Sequence, residues 1–527
     1  MHAIALLFTL LTNHASQEAA LQPGAAHRYE LRLRRGESAD VVVQQKGIDV
    51  VVDIRGPGGA LLDEIDGPTG RNGDERAEII AAESGTYTVT VRPYDEHEPA
   101  GRYRIEVAEV RSAAATRAML EARAVARGRA TAWLRAYSAP LSPDAPPLAA
   151  LAARARVIGL GEATHGSREF GDVRLALTRR LIEEHGVRVV AVEWSSSHLA
   201  ALAPYVAGES PAPAVAESGW IGRRTMRELV AALRAWNAAH PADRVRLVGV
   251  DAQDNALARE ELRAFLGRAY GDLLPRWNAA EKELAAADEQ SAVFGDSSVK
   301  VEVRQTLFEL VARLSLDAAL LRARYGAAAD RALTAARTLA SFADFNSSAA
   351  DSRSRDWAMA GAVLRALAEA GPGARAVYWA HNAHVRVAEK TSGGFLRAAL
   401  GCGYAAVAQT FGEGSFVAQV PNDVDDRLAV SMLPQAADES IESVLAPVAG
   451  GPILAAWPCG DAAPLPEWLR AAHAIHWVGA LWTPGSAPSA ATRPFNLVHD
   501  FDGVVYLPRV TADEIPTDRP HVPPRQR

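Results

Sequence analysis

The sequence predicts an α/β protein: a mostly parallel sheet flanked by helices, with a helical insertion, preceded by a separate N-terminal all-β sandwich. Three observations carry this. Apolar, β-branched runs at 157–160, 187–192, 245–250 and 374–380 alternate with helical patterns, the signature of a sheet buried on both faces. Residues 255–370 carry helix patterns only, and 255–350 reads as an insertion between sheet strands. The first 110 residues alternate short strands with Gly, Pro and Asn turns.

At 527 residues the chain exceeds one ordinary core, so two or more domains are expected. Its 49% hydrophobic and 23% charged residues place it among soluble globular proteins. The net charge of −7 and the lack of a basic stripe with interleaved aromatics argue against a nucleic-acid partner. The apolar run Ala3-Ile4-Ala5-Leu6-Leu7-Phe8-Thr9-Leu10-Leu11 has signal-peptide length and is too short to span a bilayer as a helix. Small residues follow it, so 1–19 is expected to be a signal peptide and the protein periplasmic or secreted, with no integral membrane segment beyond it. Cys402 and Cys459 are the two cysteines; in an exported chain they could pair, and otherwise they would stay two thiols.

Strand patterns at 29–33, 41–43, 50–54, 87–91 and 103–107 give a sandwich over 20–110. Asp53-Ile54-x-Gly56-Pro57-x-Gly59, Ser84-Gly85-Thr86-Tyr87-x-Val89-x-Val91 and Gly101-Arg102-Tyr103-x-Ile105 resemble the bacterial pre-peptidase C-terminal type of domain. That resemblance implies a binding or structural role beside a secreted enzyme. Residues 111–150 read as a helix followed by a proline-rich linker, 151–510 as the catalytic domain, and 511–527 as a loose tail.

The chemistry gathers at strand ends. The first strand runs into Gly161-Glu162-Ala163-Thr164-His165-Gly166, the second ends at Glu193-Trp194, the third at Asp251-Ala252-Gln253, and a later one at His381-Asn382-Ala383-His384. In an open parallel sheet these carboxyl ends share one edge, so acids and imidazoles distant in sequence can converge in one crevice. Imidazole titrates near neutral pH and suits general-base work, and Glu162 or Glu193 could orient His165. No Gly-x-Ser-x-Gly elbow occurs, so direct attack by water is favoured over a serine nucleophile.

Gly161-Glu162-Ala163-Thr164-His165-Gly166-x-x-Glu169-Phe170, Arg355-Asp356-x-x-Met359-Ala360, His381-Asn382-Ala383-His384 and Phe501-Asp502-Gly503-Val504-Val505-Tyr506 resemble the signatures of the erythromycin esterase family. The resemblance spans about 150–510. It implies a carboxylic ester hydrolase acting on a small-molecule ester or macrolactone, with macrolide cleavage and antibiotic resistance as the family's associated role. His165 would activate water, with Glu162 and the pair His381 and His384 lining the site and Arg174 supplying a functional guanidinium. Arg174 or His381 would stabilise the oxyanion, and His384 would donate to the leaving alcohol. Asp251, Gln253, Arg355, Asp356 and Trp194 are further candidates for binding substrate; Arg355 and Asp356 serve equally well as a pair that fixes their helix. Trp220, Trp379, Trp457 and Trp482 could line an apolar pocket or pack the core.

No cofactor is expected. A divalent metal is the chemical alternative, since Glu162-x-x-His165 and His381-x-x-His384 supply enough ligands, although not at the helical spacing of a His-Glu-x-x-His site. A reading of another class is a non-catalytic protein that holds a small ligand or haem in the same crevice.

Overall fold

The computed structural model describes residues 9–67, 70–95, 98–213, 223–253, 255–290, 299–346, 353–421, 427–448, 450–460, 464–486, 488–515 and 521–522. A mixed α/β unit follows an N-terminal all-β unit. The latter holds β1 (Thr9–Leu11), β2 (Ser16–Leu21), β3 (His27–Leu33), β4 (Ser38–Lys46), β5 (Val50–Arg55), β6 (Leu61–Ile65), β7 (Asp74–Ile80), β8 (Gly85–Pro93) and β9 (Gly101–Arg111). Its two sheets run β1-β3-β8-β5-β6 and β2-β9-β4-β7. Alternate residues point inward, as pleating demands, so Tyr29, Leu31, Val89 and Val91 of one sheet share a core with Val41, Val43, Tyr103 and Ile105 of the other.

The sandwich reaches further back than residue 20. Thr9–Leu11 pairs parallel with Tyr29–Leu31, Ser16–Leu21 pairs antiparallel along β9, and Leu11 and Leu21 are buried. Part of the apolar run expected to be a signal peptide thus forms a strand, because the same leucines satisfy a sheet edge. The remainder of that run lies outside the described residues.

Helix α1 (Ala113–Ala136) belongs to both units. Thr116 Oγ1 meets Ser38 Oγ at 3.0 Å at one end, and Thr131 Oγ1 donates to the Val444 carbonyl at 3.0 Å towards the other. The linker expected after it is structured: β10 (Ser138–Pro140) is a sheet strand, and α2 (Pro146–Arg154) uses proline at its first turn, where a missing N–H costs nothing.

There follow β11 (Val157–Leu160), α3 (Arg168–His185), β12 (Val187–Ser195), α4 (Ser196–Val206), α5 (Arg223–Ala239) and β13 (Arg246–Asp251). The helical stretch contains α6 (Ala256–Ala269), α7 (Leu274–Gln290), α8 (Val301–Leu316), α9 (Ala318–Tyr325) and α10 (Ala327–Phe345), packed around a core of their own. Helix α11 (Arg353–Ala370) leads back to β14 (Arg375–Trp379), α12 (Asn382–Val385), α13 (Ser392–Leu400) and the long β15 (Tyr404–Gln419). Then come β16 (Leu428–Leu433), α14 (Ile441–Leu445), β17 (Ile453–Ala456), β18 (His473–His476), β19 (Thr492–Phe495), α15 (Leu497–Asp500), β20 (Gly503–Val510) and β21 (His521–Val522).

The sheet order is β10-β17-β20-β15-β11-β14-β12-β13, with β16 on β15 and β21 on β16. Strands β20 to β13 in this order pair parallel; β17 pairs antiparallel with both β10 and β20. Ile158, Leu160, Val190, Val192, Val377 and Trp379 face a core with α2 to α5, while Val157, Val189, Ala191, Ala376 and Tyr378 face one with α1, α11, α13 and α14. Burial on both faces is why these strands lack polar alternation. Cys402 and Cys459 form a disulfide with their Cα atoms 5.8 Å apart.

The chain after β20 is strapped down as far as it is described up to residue 515, where a loose tail was expected. Thr511 N–H and Oγ1 each reach the Glu169 carboxylate at 2.7 Å, and Asp513 N–H donates to the Gly166 carbonyl at 2.9 Å. Asp513 is buried and pairs with Arg224 at 3.1 Å.

Asp502, from the last expected motif, is a structural lock. Its buried carboxylate accepts from Arg154 (3.0 Å), Arg397 (2.5 Å) and the Ala406 N–H (2.8 Å), tying α2, α13 and β15 to the start of β20. Asp502→Asn leaves two guanidiniums short of a charge and should lower unfolding free energy by about 3–5 kcal/mol, read from urea denaturation.

Candidate active site

Sheet register explains the convergence. Leu160 and Val192 both pair with Trp379 across β14, and Val192 pairs with Gly249 on β13. Glu162, His381, Glu193 and Asp251 sit one or two residues beyond that row, at the same edge of adjacent strands.

Two clusters flank His381. On the α3 side, His165 Nδ1 lies 2.9 Å from Glu162 Oε1, and Arg174 Nη2 lies 2.6 Å from Glu162 Oε2. The Arg174 guanidinium stacks over Trp379, its carbon 5.0 Å from the ring centroid. Burial raises the Glu162 pKa, but the Arg174 charge and then the His165 hydrogen bond outweigh it and leave the carboxylate below its usual value. With Glu162 ionised, His165 carries its proton on Nδ1, which makes Nε2 the basic nitrogen.

On the α11 side, Arg355 grips Asp251 with two hydrogen bonds, from Nε (3.1 Å) and Nη2 (2.8 Å), and also reaches Glu193 Oε1 at 2.9 Å. Asp251 accepts as well from the N–H groups of Ala252 and Gln253. His384 lies between Asp356 Oδ1 (2.9 Å from Nδ1) and Glu193 Oε1 (3.2 Å from Nε2). Burial works against its positive charge, yet Glu193 and Asp356 prevail and lift its pKa to about 10. Burial likewise opposes the Glu193 charge, and His384 and Arg355 hold that carboxyl well below the usual range. The 3.1 Å contact from Arg355 Nη1 to His384 Nε2 therefore joins two donors, and the Glu193 oxygen they share offsets their repulsion.

His381 is buried between the clusters. Its backbone N–H donates to Glu193 Oε2 at 2.8 Å, its Nδ1 accepts from Ala383 N–H at 3.2 Å, and its Nε2 faces the Ala163 carbonyl at 3.3 Å. That pattern requires the neutral Nε2–H tautomer, in accord with a pKa lowered to about 3 by burial and by the adjacent His165. Its ring is 5.1 Å from that of His165 and 4.5 Å, edge-on, from Trp477. Both ring nitrogens are thus engaged with backbone groups.

The structure thus brings together His165, Glu162, Arg174, His381, Glu193, His384, Asp251, Arg355 and Asp356. Arg355 and Asp356 do fasten α11, but to strand ends and α12 rather than to each other; Asp356 also accepts from Ser392 N–H at 2.7 Å. Gln253 contributes a backbone donor to Asp251. Trp194 is half-buried and packs against the α2–α5 core, on the opposite face of β12 from Glu193. Trp379, Trp457 and Trp482 are buried in the core, and Trp220 lies outside the described residues.

Trp477 and Gln409 escaped the sequence reading, and Asn382 was named in its motif without a role. Trp477 follows β18, far along the chain, and carried no local signal. Asn382 exchanges two hydrogen bonds with the Gln409 backbone, at 2.8 and 3.2 Å, and Gln409 Nε2 holds the Gly161 carbonyl at 2.6 Å. A lone glutamine in the apolar run of β15 was the visible clue. This clamp leaves no room at Gly161, where a Cβ would lie 2.1 Å from Asn382 Oδ1.

Among the described residues, no group of three or more His, Cys, Asp or Glu side chains is arranged to hold a metal ion. The physical reason is visible in the bonds above. The carboxylates point at guanidiniums and imidazoles, and the His381 lone pair is taken by Ala383 N–H.

The sequence model described as erythromycin esterase matches residues 182–510. The chain belongs to the erythromycin esterase family. The match begins within α3, downstream of Glu162, His165 and Arg174. In fold the chain is similar to a Bacillus cereus protein at 20% identity and a TM-score of 0.61, covering 74% of this chain and 99% of that one. A succinoglycan biosynthesis protein is similar at 17% identity and a TM-score of 0.58, with 74% and 99% covered. A mutant of the erythromycin esterase EreC in its open conformation is similar at 20% identity and a TM-score of 0.50, with 70% and 94% covered. No curated protein sequence matches.

The His384 pKa gives a signed stability prediction. Its folded value of about 10 exceeds the unfolded value of about 6.5, so its contribution is complete below the unfolded value and is lost as pH rises through the folded one. Thermal melting should therefore drop between about pH 7 and 10 in the parent, and His384→Gln should flatten that part of the profile.

Gly161→Ala should destabilise by about 1–3 kcal/mol through the overpacked Asn382 contact, measured by denaturation.

Proposed function

We propose that the protein hydrolyses a carboxylic ester or lactone with a water molecule activated by His165. The observation that carries this reading is the pair of contacts in which Arg174 holds Glu162 and Glu162 holds His165 Nδ1. An imidazole whose far nitrogen is made basic by a buried carboxylate is the arrangement general-base catalysis needs. Family membership supports hydrolase chemistry.

In the proposed reaction, water gives its proton to His165 Nε2 while its oxygen adds to the acyl carbon. The tetrahedral intermediate collapses with cleavage of the bond to the leaving oxygen, and the proton passes to that oxygen, yielding acid and alcohol. Glu162 stabilises the transient imidazolium. Arg174 is a positioning residue, since its Nη2 is committed to Glu162. The α11-side cluster of Glu193, Asp251, Arg355, Asp356 and His384 supplies fixed charge at the crevice edge, with both ring nitrogens of His384 held by Asp356 and Glu193.

Erythromycin is the substrate named for the relative EreC; for this chain the proposal extends to esters and lactones as a class. Export is part of the same reading. A disulfide between Cys402 and Cys459 persists in oxidising compartments, which favours a periplasmic or secreted protein.

A panel of aryl esters, simple lactones and macrolactones tests the reading. His165→Ala should abolish turnover with an unchanged circular dichroism spectrum, and Glu162→Gln should lower kcat by about 10²–10⁴-fold. Undiminished hydrolysis by His165→Ala would sink the mechanism. Activity should also persist after exhaustive chelation; its loss, restored by added divalent metal, would favour metal-assisted attack instead.

A further inference from the structure

Among the described residues, strand β13 is the edge of the parallel sheet, with β12 on one side and no strand on the other. An uncovered edge invites misassociation, and here the helical insertion covers it. Helix α10 packs on α4 and α11, which lie on either face of β13, and so bridges over the edge rather than pressing onto it. A cavity of about 650 Å³ remains between these elements, within the usual range for small-molecule sites. His165, Glu162, His381 and His384 take no part in its lining.

Part of the wall is apolar, including Ala203, Pro204, Leu333 and Ala362. The rest is charged in an unbalanced way. Each carboxylate on the wall already has a cation: Glu209 binds Arg244 (3.1 Å), Asp330 binds Arg322 (2.6 Å) and Glu369 binds Arg246 (2.8 Å). A further wall residue, Arg331, pairs with Glu261 at 3.1 Å. Arg337 and Arg365 are left. Among the described residues neither has an anionic partner within ion-pair distance. Arg337 is half-buried and Arg365 is exposed. The chain makes room for them: a Cβ at Gly361, one turn before Arg365 on α11, would come within 3.2 Å of Arg365 Nη1. Packing around Arg365 and the neighbouring Arg337 charge lower its pKa, and Glu369, already bound to Arg246, offsets this only in part, so the two guanidiniums repel.

We propose that this cavity is a second binding site, for an amphipathic organic anion whose carboxylate or phosphate head bridges Arg337 and Arg365 while its apolar body lies against the α4–α10 wall. Two guanidiniums without an anionic partner among the described residues, set beside apolar surface, suit an anion that each can bind through paired N–H donors. Neither residue takes part in the hydrolytic site, so the two proposals stand or fall separately.

Calorimetry with decanoate in the His165→Ala background tests it. Decanoate should bind, with decanol and inorganic phosphate each at least about tenfold weaker, because the site needs both head and body. Arg337→Gln with Arg365→Gln should weaken decanoate by at least about tenfold, while Arg337→Lys with Arg365→Lys should restore most of the affinity. Without ligand, the double Gln variant should melt at or above the parent temperature, because a repulsion is removed. No binding of decanoate, equal binding of decanol, binding of phosphate as tight as decanoate, or undiminished binding to the double Gln variant would each overturn the proposal. So would a double Gln variant that melts well below the parent, since the guanidiniums would then be fastening the helices.

Discussion

The site depends on keeping acids ionised where the sheet buries them. Glu162, Glu193, Asp251 and Asp356 are all buried or nearly so, and a carboxylate in that setting would protonate or unfold the edge unless a cation met it. Arg355 answers two of them at once. It comes from α11, the first helix after the insertion, and clamps β12 and β13 together through Glu193 and Asp251. His384 takes the second Glu193 contact and closes the circuit to Asp356, back on α11. The circuit ties β12, β13, α11 and α12 by charge, each tie holding because its partners are themselves held.

Glu162 lies outside that circuit, on the opposite face of the sheet edge, and is balanced by Arg174 of α3. The separation has a chemical consequence. His165 is hydrogen-bonded to Glu162, whereas His384 lies between Glu193 and Asp356, and those two charges lift its pKa to about 10. His381 keeps the clusters apart. Neutral and fully bonded, it carries Trp477 on one flank and His165 on the other, and its N–H steadies Glu193. Covering segments fix the rim: Asp513 is bonded to the Gly166 carbonyl and Thr511 to Glu169, so the chain after β20 closes over the start of α3.

Much of this was legible residue by residue. The buried strands announced themselves through unbroken Val, Ile and Leu runs, since a strand covered on both faces has no reason to alternate. The acids and imidazoles at their carboxyl ends followed from where open parallel sheets gather side chains. Less legible were segments whose state depends on a distant partner. Residues 138–140 read as linker because a three-residue strand has no pattern of its own; pairing with β17 makes it one. The leucines near the N-terminus fit a signal sequence or an edge strand equally by composition, and pairing with β3 and β9 places those of β1 and β2 in the sandwich. The tail from 511 onward looked loose because proline and charge dominate it beyond 515, while the anchors of 511–515, Glu169, Gly166 and Arg224, lie more than two hundred residues away.

The sequence by itself determined which groups could do chemistry: an acid and an imidazole three residues apart after the first strand, a guanidinium on the next helix, and two more imidazoles after β14. It determined this because hydrophobic periodicity and strand-end position are local properties. Only the tertiary structure decided their roles. Whether His381 or His384 carries charge turns on a carboxylate from β12 and another from α11, and Coulomb interactions across a folded core are invisible to local pattern. The same holds for Arg337 and Arg365, whose want of an anionic partner became visible only once α10 and α11 were packed across the edge of β13.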